Sequence, residues 1–392
     1  MKQAEIEYWI TSMLAAYDNV SDLNITVGKT LQVETSGILM PVRVTPPAGK
    51  ITPFQAEVFA LNLIGNNKRL LRDLVEKGSC DLSYSLNEQT RFRVNIFTQK
   101  GCFTTILRKL DSAIPTIRGM NFPSAFNTMA SELNGLILFT GATGSGKTTS
   151  LAALLHKINM ERAVHIITLE DPIEYVHPHM KATFNQRELG NDFNSFDSGM
   201  RAALRQAPKV ILVGEMRDKE SMEIGLTAAE TGHLVLSTLH TIDAGQTVNR
   251  ILGMFDQEEQ SQIRHRLADT IRWIVGQRLL PKIGSGRIAA MEILRTNLRV
   301  KDLILHGEDE EKTFYKIIQA GLSSDMRTFD QHILKLYASK LITEENAIRY
   351  CSHRDEISRG LDNIKASRGE ATSSLSGLSM EEEDKENEYR HW

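Results

Sequence analysis

The pattern of apolar and polar positions changes character about a third of the way along the chain. Before that point, "AEIEYWITSMLAAY" spaces its apolar residues as an amphipathic helix does. Strand-like pieces follow: "LNITVG", "ILMPVRV", "CDLSYSL", "TRFRVNIFTQ" and "CFTTILRKL". In the fourth, Phe92, Val94 and Ile96 alternate with Arg91, Arg93 and Asn95. This period of two puts the apolar set on a core face and both arginines on the other. Residues 1–110 thus read as a small α+β unit, and 111–121, rich in turn and breaker residues, as a linker.

From residue 122 onward, apolar strand-like runs alternate with helical stretches. "GLILFT" is followed by "TSLAALLHKIN", and "HIITLE" comes next. "GMRAALRQAP" then leads into "KVILVGE", and "ESMEIGLTAAETG" into "HLVLSTLH". Buried runs alternating with helices predict a mostly parallel sheet, hence an α/β domain over 122–364. After Thr241 the signal is mainly helical, with one short strand pair expected around "GRIAAMEIL". Residues 365–392 are polar, Ser-rich and then acidic, and read as a disordered tail.

Composition narrows the classes. A chain of 392 residues has two domains as its prior. The net charge is −3 and no basic run is present, which weighs against nucleic acid as a partner. No apolar run reaches the ~18 residues that a bilayer span needs. The start lacks the continuous apolar segment of a signal peptide. Cys80, Cys102 and Cys351 are far apart and form no CxxC, so neither a four-cysteine zinc site nor a disulfide framework is expected. A reduced, cytoplasmic location is the simplest reading.

The strongest chemical signal is "GATGSGKT", Gly141 to Thr148. It fits the P-loop pattern G-x-x-x-x-G-K-[ST], with a strand leading in and a helix leading out. Backbone N–H groups of such a loop, together with the helix N-terminus, point at phosphate oxygens. Gly141, Ala142, Thr143, Gly144, Ser145 and Gly146 would form the cradle, with Thr149 at its helical end. Lys147 would supply a cation to the β- and γ-phosphates and Thr148 a hydroxyl to Mg²⁺.

Three further strand ends carry polar groups: Glu170 and Asp171; Glu215; and Ser237, Thr238 and His240. In an open parallel sheet, ligands sit beyond the C-terminal strand ends. These ends and the P-loop would therefore share one nucleotide. Hydrolysis asks one acid to help hold Mg²⁺ and another to position water. Glu170 and Glu215 are the candidates, and spacing leaves open which does which. Arginines are wanted where charge builds at the γ-phosphate. Arg201 and Arg205 share a helix face, and Arg93 and Arg108 lie in the amino-terminal unit.

"GATGSGKTTSLAAL", "ITLEDPIEYVH", "LRQAPKVILVGEMRD" and "TAAETGHLVLSTLHT" stand in this order. Together they resemble the Walker A, Asp box, Walker B and His box of the secretion ATPases, most nearly the type IV pilus retraction (twitching-motility) subgroup. The likeness runs from about Ser21 to about Leu361. It implies a PAS-like amino-terminal domain, a RecA-like ATPase domain, ATP and Mg²⁺ as ligands, and a homohexamer acting on an inner-membrane pilus platform protein from the cytoplasmic face. By this resemblance Glu170 is the general base, Glu215 works at the magnesium, and His233 and His240 couple nucleotide state to movement. Arg93 and Arg108 would reach the nucleotide, and Arg201 and Arg205 match the pair before Walker B. The motor would power pilus retraction. Related secretion and conjugation machines share the core chemistry. "YVHPHM" and the acidic tail resemble the accessory branch, which assists a paralogous pilus ATPase.

Overall fold

The computed structural model describes residues 2–87, 89–110 and 113–370. Of the tail expected over 365–392, residues 371–392 lie outside them. The first part runs α1 (Gln3–Ala15), β1 (Val20–Thr26), β2 (Gln32–Thr35), β3 (Ile38–Pro41), α2 (Pro53–Ile64), α3 (Lys68–Lys77), β4 (Ser79–Ser85), β5 (Arg91–Gln99) and β6 (Cys102–Leu110). Its strands form an antiparallel sheet in the order β3-β2-β1-β6-β5-β4. Phe92, Val94 and Ile96 of β5 are fully buried against the helices, as the period of two requires. The sequence reading had one helix here and the structure has three. In α2, Ala56, Phe59, Ala60, Leu63 and Ile64 follow helical spacing behind a Thr52–Gln55 capping box. That signal lay between the strand-like runs.

The second part runs α4 (Ala125–Ala130), β7 (Gly135–Thr140), α5 (Lys147–Glu161), β8 (His165–Glu170), β9 (Thr183–Glu188), α6 (Phe196–Ala203), β10 (Val210–Val213), α7 (Lys219–Glu230), β11 (Leu234–Leu239), α8 (Ala244–Leu252) and α9 (Gln260–Thr270). It continues with β12 (Ile271–Pro281), β13 (Arg287–Arg295), α10 (Leu298–His306), α11 (Phe314–Ala320), α12 (Phe329–Ala338), α13 (Glu344–Tyr350) and α14 (Arg354–Ser367). The sheet order is β13-β12-β7-β11-β10-β8-β9, parallel throughout except for the β12–β13 hairpin. Alternate residues of β7 feed opposite cores. Leu136 and Leu138 face the layer that includes α6 to α11, whereas Ile137 and Phe139 face α4 and α5. Helices α12, α13 and α14 form one cluster with the hairpin through Phe329 and Ile333, Ala347, and Leu361 respectively.

Two differences from the sequence reading bear on the site. The short strand pair is a long hairpin whose first strand, β12, lies directly beside β7. Arg272 and Gly276 break its apolar run, and a Cβ at Gly276 would press on the Phe329 ring at 3.0 Å. Strand β9, polar on one side, was not foreseen. The carboxy-terminal helix also continues through Ser367, past the expected start of the tail. No helix among the described residues is long and apolar enough to cross a membrane.

Candidate functional site

The C-terminal ends of β7, β8, β10 and β11 open onto one cleft edge. The chain leaves β7 at Thr140, turns through 141–146 and enters α5 at Lys147. Gly141, Gly144 and Gly146 all have positive φ, at 140°, 77° and 87°. The reasons differ. A Cβ at Gly141 would collide with the Gln277 carbonyl, and one at Gly146 would lie 2.8 Å from Gln277 Nε2. At Gly144 a Cβ would meet nothing within 4 Å, so this glycine serves the left-handed turn and leaves that side of the loop open.

Gln277, on β12 and only 2 % exposed, braces the loop from behind. Its Nε2 donates to the Ser145 carbonyl at 2.8 Å, and its Oε1 accepts from Ser150 Oγ at 2.7 Å. Lys147 Nζ donates to the carbonyls of Gly141 and Ala142 at 2.8 and 3.1 Å. Burial pushes its ammonium below the usual lysine range, and the nearby Glu215 charge opposes that. Thr143 is exposed at the crown of the loop. Ser145 Oγ is buried without a hydrogen-bond partner. A buried orphan hydroxyl, free helix N–H groups and a lysine in one loop are the donor set that a phosphate chain needs.

From the end of β8, the segment "EDPIEY" carries three acids, Glu170, Asp171 and Glu174. Glu170 is buried, and its Oε1 accepts from Thr168 Oγ1 at 2.6 Å and Gln186 Nε2 at 3.0 Å. Burial pushes this carboxyl up to about 7, against the pull of those two bonds. Glu174, which the sequence does not single out, stands beside the Thr148 side chain and near Arg93. Burial raises its carboxyl too, opposed by Thr148 and Arg93. The next residue, Tyr175, places its hydroxyl 3.4 Å from Thr149 Oγ1. The loop after β8 thus rests on the first turn of the P-loop helix.

Glu215, just past β10, holds Arg217 on Oε2 at 2.8 Å and faces His240 Nε2 from Oε1 at 3.3 Å. Burial alone would raise its carboxyl, but the Arg217 and His240 contacts outweigh this and hold it below the usual range. Among the described residues, no three His, Cys, Asp or Glu side chains converge as a protein-only metal cage. Mg²⁺ in phosphate sites takes one or two protein oxygens and completes its shell with phosphate and water. The Thr148 hydroxyl and the Glu215 carboxylate fit that role.

Several expected residues are placed elsewhere in the chain. His233 precedes β11, at the opposite edge of the sheet; its carbonyl accepts from Gly135 N, and its Nδ1 is 3.0 Å from the Ala228 carbonyl. A six-residue strand puts it roughly 20 Å from His240. Arg205 lies beside the N-terminal strand edge, where Gln206 meets His165, and donates to the Arg201 carbonyl. Arg201 is exposed and paired with Glu220 at 2.7 Å. Arg108 is the cross-strand neighbour of Arg93, but its Nε is held by Asp22 at 2.9 Å. Arg93 alone of the expected arginines stands near an acid of the chain's own cleft.

Residues 76–335 match the model of the family described as Type II/IV secretion system protein. The chain is 38 % identical to the type IV pilus retraction ATPase PilT of Pseudomonas aeruginosa, over 86 % of this chain and 96 % of that one. It is 36 % identical to the type IV pilus ATPase PilU of the same organism, over 92 % of this chain and 93 % of that one. Among solved structures, the pilus retraction motor PilT with bound ADP superposes with a TM-score of 0.80 at 38 % identity, covering 92 % of this chain and 99 % of that one. The Legionella pneumophila ATPase DotB superposes with a TM-score of 0.77 at 26 % identity, covering 88 % of this chain and 95 % of that one.

Proposed function

The chain belongs to the type II/IV secretion system protein family, and from that premise we propose that it is an ATP-hydrolysing motor that powers type IV pilus retraction. The observation that carries the reading is the meeting of Lys147, Thr148, Glu174 and Glu215 at one edge of the parallel sheet. The P-loop binds the phosphates of ATP, with Lys147 neutralising the β- and γ-oxygens. Thr148 and Glu215 would hold Mg²⁺, which would supply charge neutralisation for the phosphates.

For the water-activating acid, we keep Glu170, which the resemblance implies: it is buried at the end of β8, held by Thr168 and Gln186, and burial raises its carboxyl to about 7. Glu174, further along the same segment, stands beside Thr148 and Arg93, and burial raises its carboxyl as well.

A ring of six chains gives Arg201, Arg205 and His233 a purpose, since they face away from the chain's own cleft and are available to a neighbour's. Arginines supplied across such an interface contribute ~10³–10⁵ in rate where they are used. The ring works at the cytoplasmic face of the inner membrane, against a pilus platform protein. A second reading, an accessory ATPase that assists a paralogue, draws on the match to PilU, which extends over more of this chain than the match to PilT.

Gene deletion tests both readings. Excess surface pili without twitching indicate a retraction motor, and normal twitching until a paralogue is also removed indicates an accessory one. Loss of pili sinks the retraction reading. In the purified protein, ATP turnover that survives Lys147→Ala sinks the site assignment.

A further inference from the structure

Arg217 stands on one oxygen of the acid assigned to the metal. Its Nη2 lies 2.8 Å from Oε2 of Glu215, while Nε2 of His240 lies 3.3 Å from Oε1. Both oxygens of this carboxylate therefore face a nitrogen of the chain itself. The backbone around the acid is fixed on both sides. Just before it, Gly214 donates its N–H to the Leu169 carbonyl at 2.8 Å, and the Gly214 carbonyl accepts from Thr238 Oγ1 at 2.7 Å. Just after it, Met216 is fully buried, and Asp218 caps α7 by accepting from Ser221 N at 2.8 Å. Residues 214–218 are thus tied to β8, β11 and α7. Within them the Arg217 side chain is the loose part, 77 % exposed against 19 % for Glu215. A second acid, Asp171 just past β8, lies near enough for its charge to act on Arg217. The guanidinium can therefore leave Glu215 and still face an anion.

We propose that Arg217 competes with the divalent cation for the Glu215 carboxylate and so sets how tightly the site holds metal. The inference rests on the reading of Glu215 as the magnesium-side acid. A hard divalent cation takes carboxylate oxygens. A guanidinium on the same oxygen blocks that position and repels the ion as a like charge. An exposed ion pair of this kind is weak, which suits a competitor: it lowers metal affinity and yields when more negative charge arrives. Nucleotide phosphates bring that charge, so the metal is held well only together with its nucleotide. A residue kept for structure alone would act in the opposite direction. Its loss would loosen Glu215 and weaken metal binding, whereas the loss of a competitor strengthens it.

The test uses the full-length protein loaded with ADP and compares wild type with Arg217→Ala, Arg217→Lys, Glu215→Gln and the Glu215→Gln/Arg217→Ala double variant. Mn²⁺ is the probe. Its free fraction is read by electron paramagnetic resonance, with the Mn²⁺ held by ADP alone subtracted, and thermal unfolding checks that each variant folds. Arg217→Ala should bind Mn²⁺ about tenfold tighter than wild type at low salt, since a competitor and a like charge are removed together. Arg217→Lys keeps the charge and stays within about twofold of wild type. The gain in Arg217→Ala shrinks as salt is raised from about 0.02 to about 0.5 M, because the repulsion is screened. Glu215→Gln weakens binding by about tenfold, and on that background Arg217→Ala gains about twofold at most. Unchanged or weaker binding in Arg217→Ala overturns the proposal. So does the full gain persisting in the double variant, because Arg217 would then act without Glu215. A Glu215→Gln variant that binds Mn²⁺ as wild type does overturns the placing of metal at Glu215, whatever Arg217→Ala shows, and the proposal falls with that reading.

Discussion

Gln186 Nε2 lies 3.0 Å from Glu170 Oε1 and at the same time 2.8 Å from the Tyr175 carbonyl. One amide from β9 thus ties the buried acid to the far side of the loop that carries Glu174. Glu170 and Glu174 stand four positions apart, the first held by Thr168 and Gln186 and the second beside Thr148.

That division predicts unequal effects of the same conservative change. Glu170→Gln removes the assigned base and no phosphate contact, so kcat falls by ~10²–10⁴ with ATP binding retained. Glu174→Gln changes an acid that stands beside Thr148, so turnover falls by no more than about tenfold. Steady-state kinetics on the two variants decide the matter, and a larger loss in Glu174→Gln would move the base to Glu174.

Glu170 also makes stability depend on pH. Its carboxyl is raised from 4.5 to about 7 in the folded protein, chiefly by burial. Between those values the folded state keeps a proton that the unfolded chain has released, so stability falls as pH rises through this window. The span corresponds to ~3 kcal/mol, fully expressed above about pH 7 and absent below about pH 4.5. Glu292 is raised to about 7 in the same direction, so only a difference between proteins isolates Glu170. Glu170→Gln should gain more in Tm over wild type at pH 8 than at pH 5. A gain that is flat, or that shrinks with pH, refutes the assignment.

Glu215→Gln keeps a side chain able to bond Arg217 and His240 but loses the negative charge beside the P-loop. The Mg²⁺ concentration for half-maximal turnover should then rise by about tenfold, in keeping with one lost charge-assisted ligand contact. A magnesium titration that overlays that of wild type would remove Glu215 from the metal site.

Gln277→Ala strips the brace from behind the P-loop. The Ser145 carbonyl and the Ser150 hydroxyl lose their buried partner, at about 1–3 kcal/mol each. Nucleotide affinity should fall at least about tenfold and Tm should drop, both measurable by analogue titration and thermal unfolding. Affinity within about twofold of wild type would mean that the loop holds its shape unaided.

What could be read from the sequence was what local pattern encodes. "GLILFT" before "GATGSGKT" declares a buried strand and a phosphate loop within fourteen residues, and the structure has both. The alternation in β5 put Arg91 and Arg93 on one face, and that face meets the loop after β8. Roles set by distant partners stayed hidden. "IRWIVGQRLLP" shows no clean period, because its polar Gln277 is buried for the sake of a loop 132 positions away. "TFNQRE" looks like a solvated stretch until Glu170 and Ile173 are seen to depend on it. The family resemblance also grouped His233 with His240, although a strand between them sends the two to opposite edges of the sheet.

The brace behind the phosphate loop has a consequence for how the protein is made. Gly141 to Thr148 leave the ribosome long before β12 does, and until Gln277 arrives the Ser145 carbonyl has no partner and β7 no neighbour on that side. A nascent chain that ends before residue 277 carries the whole phosphate-loop motif yet cannot close the loop into its final shape. The phosphate loop thus acquires its buried brace only when β12, the last parallel strand of the sheet, has been made.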